Sequence, residues 1–207
     1  MHPETIRDHI LRQASAYHPL ANILQARCID IPPSTMPSAA DYLTRAITGQ
    51  QLSVKAASTI WGRVQAAAGT TPFADYFVPD NTEILRACGL SYSKIKAASA
   101  VQAFFREHAL SDAHLAEMSA SERAKMLCQI WGIGQWTCDM MSLFYFRDPD
   151  VWALGDGGLL RAVGIMTDTP KPTVTHMVDF AAPFAPYRGY LSLYLWRILD
   201  NAPDPSH

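Results

Sequence analysis

The chain has 207 residues, 49% hydrophobic and 17% charged: enough apolar side chain for a sizeable core, and a composition unlike that of a disordered chain. No apolar run approaches the roughly 20 residues of a membrane-spanning helix, and the first residues, MHPETIRDHILRQASAYHP, mix charges into their apolar positions, so a soluble intracellular protein is expected. The net charge of -2 argues against a broad basic nucleic-acid footprint, though not against a protein that holds few phosphates through backbone amides.

Nearly every segment carries a helical period, and the predicted class is all-α. Ser38 to Asp41 reads as a capping box opening one helix. Ser53 caps the next, with Val54, Ala57, Ile60, Trp61 and Val64 as its apolar face. Asp80 and Glu83 open a short helix that Gly89 closes. From Ser93 the apolar positions Ile95, Ala98, Val101 and Phe105 recur at helical steps. Ser119 to Glu122 is a second capping box, and Tyr187 to Leu199 forms a strongly apolar last helix. Cys28, Cys88, Cys128 and Cys138 are too scattered for a C-x-x-C metal site or an iron–sulfur centre, and read as free thiols in a reducing compartment.

The most informative stretch is Leu127 to Met140, LCQIWGIGQWTCDM. A helix is expected to end near Trp131, Gly132-Ile133-Gly134 to turn the chain, and a second helix to start near Gln135. Gly132 supplies a positive φ, Gly134 removes a side chain that would block close approach, and Ile133 plugs the turn into the core. The amides from Gly134 to Thr137 then lack intrahelical partners. With the partial positive charge of a helix start, they make a phosphate site that needs no Lys or Arg. An ordinary helix–helix turn that happens to use two glycines is the alternative.

This hairpin, with an Asp about 20 residues downstream, resembles that of the helix-hairpin-helix DNA glycosylases. Three further stretches resemble the 3-methyladenine DNA glycosylase II branch: LTRAITGQQLSVKAASTIW (Leu43 to Trp61), GLSYSKIKAASAV (Gly89 to Val101) and DVWALGDGGLLRAV (Asp150 to Val163). The resemblance implies two helical lobes with a catalytic cleft between them. Residues 1–37 plus 142–207 would carry the catalytic Asp, and residues 38–141 the wedge turn and the hairpin. It further implies a monomer that flips N-alkylated purines out of double-stranded DNA and removes them, 3-methyladenine and 7-methylguanine first and ethenoadenine besides. Such a protein needs no membrane and no required cofactor, and works in the cytoplasm around a nucleoid or in a nucleus.

By resemblance, Asp156 holds the catalytic position. The chemistry agrees, because breaking an N-glycosidic bond leaves positive charge on the sugar that a carboxylate stabilises, and the same group can deprotonate the attacking water. A base alkylated at a ring nitrogen leaves neutral and needs no general acid, so one carboxylate suffices. Asp148 and Asp150 flank Pro149 in what reads as an exposed turn, and Asp139 on the hairpin's second helix is the closer rival. The family usually has a larger residue after its Asp than Gly157. Bifunctional relatives place a Lys where Trp136 stands, so hydrolysis without strand cleavage is implied.

Trp136 and Trp196 are implied to line the base pocket, where an indole attracts a cationic base; for Trp196, plain core packing is an equal reading. Met140 takes a position that is Tyr in some relatives. Gln51, with Leu52 beside it, matches the wedge, and a helix–helix corner capped by Ser53 is compatible with that. Gly132, Gly134, Gln135 and Thr137 are implied to meet the DNA backbone. Lys94 and Lys96 read either as phosphate contacts or as solvated lysines. Family habit places a Na or K ion at the carbonyls of Cys128, Ile130 and Ile133. Two other readings stand: a non-catalytic hairpin DNA-binding protein, and a mismatch or oxidised-base glycosylase, whose members often carry the cluster or the Lys missing here.

Overall fold

The computed structural model describes residues 2–201, and all regular structure among them is helical. The chain divides into two compact units, Met1–Pro33 with Ser142–His207, and Ser34–Met141. Met1 and residues 202–207, which belong to the first expected lobe, lie outside the described residues.

In the first unit, α1 (Pro3–Gln13) and α2 (His18–Ala26) each carry a Pro in the first turn, where its missing N–H has no partner to lose. They bury Ile6, Ile10, Leu20 and Leu24.

In the second unit, α3 (Ala39–Gly49) buries Leu43, Thr44, Ile47 and Thr48 at three- and four-residue steps, the stripe of a core-facing helix. Ser38 Oγ accepts the Asp41 amide at 3.1 Å. Ser53 caps α4 (Val54–Ala68), whose buried side is Trp61, Val64 and Ala68. Val54, expected on that face, is 89% exposed in the first turn. Two short helices follow, α5 (Phe73–Tyr76) and α6 (Thr82–Ala87). The helix expected from Ser93, α7 (Tyr92–Glu107), is capped two residues earlier by Ser91, whose Oγ accepts the Lys94 amide at 3.2 Å.

α7 packs on α3. The one amide side chain in their buried seam, Gln102, donates to Thr44 Oγ1 at 3.0 Å and Asp41 Oδ1 at 3.3 Å, so its burial leaves no donor unmet at those contacts. Then come α8 (Asp112–Glu117), α9 (Ala120–Leu127) and α10 (Gln135–Phe144). The Ser119–Glu122 capping box at α9 is present in both directions. The buried Arg123 guanidinium ties α8 to α9 through the carbonyls of Leu115 at 3.0 Å and Met118 at 2.6 Å.

The first unit resumes with α11 (Gly157–Met166), α12 (Val174–Ala181) and α13 (Arg188–Asn201). Its core here is Leu159, Ala162 and Val163 of α11 with Leu191, Tyr194 and Leu195 of α13. Asp150 does not lie in an exposed turn as expected. Its Oδ1 and Oδ2 accept from Arg188 Nε and Nη2 at 2.8 and 2.6 Å, and Oδ1 also accepts the Arg188 amide at 3.1 Å. Burial works to raise the Asp150 carboxyl, but the hydrogen bonds and charge of Arg188 outweigh it and hold the group below the usual range. Asp148 is half-buried, its amide donating to the Ser142 carbonyl at 2.9 Å. The Asp150 carboxylate is therefore engaged by Arg188.

Candidate functional site

The hairpin joins α9 to α10. α9 ends at Leu127, four residues before the expected Trp131, because the chain tightens there. The Gln129 amide bonds the Met126 carbonyl at 3.2 Å, Ile130 bonds Leu127 at 3.0 Å, and Ile133 bonds Ile130 at 3.1 Å. These are three-residue steps rather than the four of an α-helix. Gly132 has φ +91, and a Cβ on it would sit 2.7 Å from the Ala97 Cβ of α7, so both its backbone and its missing side chain are required. Ile133 is buried and seats the turn. A Cβ on Gly134 would meet nothing within 4 Å, so packing within the protein does not require glycine there.

Gly132, Gly134, Gln135 and Trp136 are exposed around the start of α10, with Trp136 at 45%. Thr137 is buried, its hydroxyl accepting from Gln50 Nε2 at 3.5 Å. Gln135 Nε2 donates to Asp139 Oδ1 at 2.8 Å. Burial raises the Asp139 carboxyl above its ordinary range, with the Gln135 hydrogen bond working the other way. Met140, one turn beyond Trp136, is only 8% exposed, and its carbonyl accepts from the Tyr42 hydroxyl at 3.2 Å. Cys128 and Cys138 meet within the hairpin with their sulfurs 3.7 Å apart, a proximity their spacing gave no sign of. Burial, together with Cys128, pushes the Cys138 thiol far up.

The two lysines of α7 have different surroundings. Lys96 Nζ lies 4.6 Å over the exposed Trp131 ring beside the hairpin, a cation–π contact. Lys94 Nζ instead donates to the Thr48 and Gln50 carbonyls at 2.9 and 2.8 Å. Lys94 is therefore not a freely solvated lysine. The turn it reaches runs from Gln50 through Gln51, at φ +57 and exposed, and Leu52, also exposed, to the cap at Ser53.

Asp156 is the N-cap of α11. Its Oδ1 accepts the Leu159 amide at 2.8 Å and the indole Nε1–H of Trp196 on α13 at 2.9 Å. The Trp196 ring is half-buried and stacks on Phe144, with centroids 6.1 Å apart and planes 22° from parallel. Trp196 is thus more than core filling: it orients the carboxylate. Gly158 permits this closeness, since a Cβ there would lie 3.0 Å from Asp156 Oδ1 and 3.1 Å from the indole. At Gly157 a Cβ would meet nothing within 4 Å. Sequence reasoning weighed Gly157 and missed Gly158; the doubled glycine after Asp156 was the available signal.

These parts can do distinct things. A helix start with outward glycines can hold an anion, an exposed indole can stack on a flat cation, and a fixed carboxylate can stabilise positive charge and take a proton from water. Among the described residues, no cluster of three or more His, Cys, Asp or Glu could hold a metal ion, and no helix is long and apolar enough to cross a membrane.

Comparison with known proteins bears on what these parts serve. No family model matches the chain. It is 31% identical over 161 residues to DNA-3-methyladenine glycosylase 1 of Schizosaccharomyces pombe, a match covering 76% of this chain and 71% of the relative. Among solved structures it resembles a DNA-3-methyladenine glycosidase from Bacillus halodurans, with TM-score 0.80 and 29% identity over 97% of this chain and 90% of that one. It also resembles the 3-methyladenine DNA glycosylase of Schizosaccharomyces pombe in complex with abasic DNA, with TM-score 0.78 and 25% identity over 93% and 95% of the two chains.

Proposed function

The chain belongs to the DNA-3-methyladenine glycosylase family, and from that premise we propose that it hydrolyses the N-glycosidic bond of N-alkylated purines in double-stranded DNA. Its substrates are 3-methyladenine and 7-methylguanine, with ethenoadenine in addition. It acts as a monomer inside the cell, wherever its DNA lies.

The observation that carries the catalytic assignment is the bonding of Asp156, whose Oδ1 is held by Trp196 Nε1 and the Leu159 amide. In the proposed reaction, water oxygen bonds to the sugar C1′ as the C1′–N bond breaks. With 3-methyladenine or 7-methylguanine the bond's electron pair neutralises the cationic base, uncharged ethenoadenine leaves after taking a proton from solvent, and the water proton passes to the Asp156 carboxylate and on to solvent. The developing sugar cation is stabilised by the same carboxylate. Trp136 serves as a stacking surface selective for positive charge, and Gln51 with Leu52 as the wedge that fills the stack where the base has left.

Amides from Gly134 onward hold the strand with little help from basic side chains, which accounts for DNA binding at a net charge of -2. A Na or K ion at the carbonyls of Cys128, Ile130 and Ile133 belongs to the same proposal. Carbonyl oxygens are hard donors of the kind such ions take, and that of Ile130 gives one lone pair to the Ile133 amide at 3.1 Å and keeps a second. Bound there, the ion would add positive charge to the phosphate site.

Trp136 stands where a lyase needs its amine, so strand cleavage is not expected and borohydride should trap no enzyme–DNA adduct. The direct test is chromatography of bases released from dimethyl-sulfate-treated DNA. The proposal expects 3-methyladenine and 7-methylguanine; release of 8-oxoguanine alone, from oxidised DNA, would assign the chain to oxidised-base repair.

A further inference from the structure

We infer that Lys94 is the positioning residue of the turn at residues 49–53, holding Gln51 in the shape that enters a duplex; this deepens the proposed function and rests on it. α3 ends at Gly49 in carbonyls that have lost their intrahelical partners. The Lys94 ammonium reaches from α7 to one of them, Thr48 at 2.9 Å, and to the carbonyl of the C-cap residue Gln50 at 2.8 Å. A cation at that end also offsets the negative pole of the α3 dipole.

The residue that follows these carbonyls, Gln51, has φ +57. That region is unfavourable for a side chain bearing a Cβ and persists only where the surroundings impose it. Lys94 supplies the imposition on one side. On the other, the Gln50 side chain donates to Thr137 Oγ1 of α10 at 3.5 Å. The turn is thereby tied to α7 and to the hairpin helix, while Gln51 and Leu52 stay exposed.

The half-buried setting of Lys94 fits this role. Desolvation lowers its ammonium from the usual range, a cost that a lysine serving only as a surface charge would avoid. Stacked bases resist a wedge, and a turn free to relax to negative φ would yield instead of entering. Lys94 therefore acts on base extrusion and leaves the breaking of the glycosidic bond to other groups.

Lys94→Met keeps the aliphatic stem and removes the donors, and Lys94→Arg restores charge and donors. Each is compared with wild type in single-turnover excision of 7-methylguanine, paired with cytosine in one duplex and opposite an abasic site in another, where extrusion meets less resistance. Lys94→Met should be slowed about tenfold or more against cytosine and less than about threefold against the abasic site. Lys94→Arg should recover most of the rate. Hydrogen exchange at residues 50–53 of the free protein should quicken in Lys94→Met alone. Wild-type rates in Lys94→Met, or equal slowing on both duplexes, would overturn the inference. If wild type releases no base from either duplex, the proposed function fails instead, and unchanged exchange in Lys94→Met would then remove the positioning role as well.

Discussion

The indole of Trp196 donates to Oδ1 of Asp156 at 2.9 Å, across 40 positions of sequence, and the same oxygen accepts the Leu159 amide at 2.8 Å. Two donors on one oxygen fix the plane of the carboxylate before any substrate arrives. Trp196→Phe keeps a ring against Phe144 and removes the donor. Hydrogen bonds to charged groups contribute about 1.5–3 kcal/mol, so single-turnover excision should slow about 10- to 100-fold with affinity for abasic DNA nearly unchanged. An equal loss of affinity would make Trp196 a base-stacking residue instead.

The hairpin glycines separate folding from binding. Gly132→Ala meets both a φ of +91 and an Ala97 Cβ at 2.7 Å, and should cost about 1–3 kcal/mol of stability. Gly134→Ala meets nothing within 4 Å and should leave stability within about 0.5 kcal/mol. If a phosphate approaches the backbone there, Gly134→Ala should nonetheless weaken DNA binding. Thermal melts and fluorescence anisotropy on the two proteins check this.

Much of the fold was legible because its signals are local. The capping residues Ser38, Ser53 and Ser119, and the apolar stripes of α3 and α7, act within one or two turns of chain. The hairpin was legible for the same reason, since Gly132 and Ile133 determine it nearly by themselves. What the sequence hid is long-range. Nothing near Lys94 reveals that its ammonium caps α3, and nothing near Asp150 reveals Arg188. Gly158 looks like one more loop glycine until Trp196 is brought against it. The end of α9 was misplaced because i→i−3 bonds carry a helical period past the last α-helical residue.

Asp139 remains a carboxylate on the hairpin helix, and its charge is a burden to the fold. Burial raises its carboxyl, so the folded state disfavours the ionised form. The associated stability is present below the ordinary carboxyl value of 3.8 and is lost as pH rises through the raised value. Asp139→Asn should therefore melt higher than wild type at neutral pH and like wild type below about pH 4. Its excision rate should stay within about threefold of wild type; a loss of several orders would make Asp139, in place of Asp156, the catalytic carboxylate.

The Asp150–Arg188 pair runs the other way. Its carboxyl is held below the ordinary value of 3.8, so its contribution is present above that pH and is lost as pH falls through the depressed value. Both side chains are partly exposed, which screens the pair. Asp150→Asn should cost about 1–2 kcal/mol at neutral pH, with the gap to wild type closing below about pH 4. Urea melts across that range would follow it, with excision per folded molecule unaffected.

Asp156→Asn tests the central claim most directly, because it keeps an oxygen for Trp196 and Leu159 while removing the charge. The measurement pairs release of methylated bases from dimethyl-sulfate-treated DNA with affinity for abasic duplex, using the same preparation. Undiminished binding with no base released is the predicted result. Base release equal to wild type would contradict it.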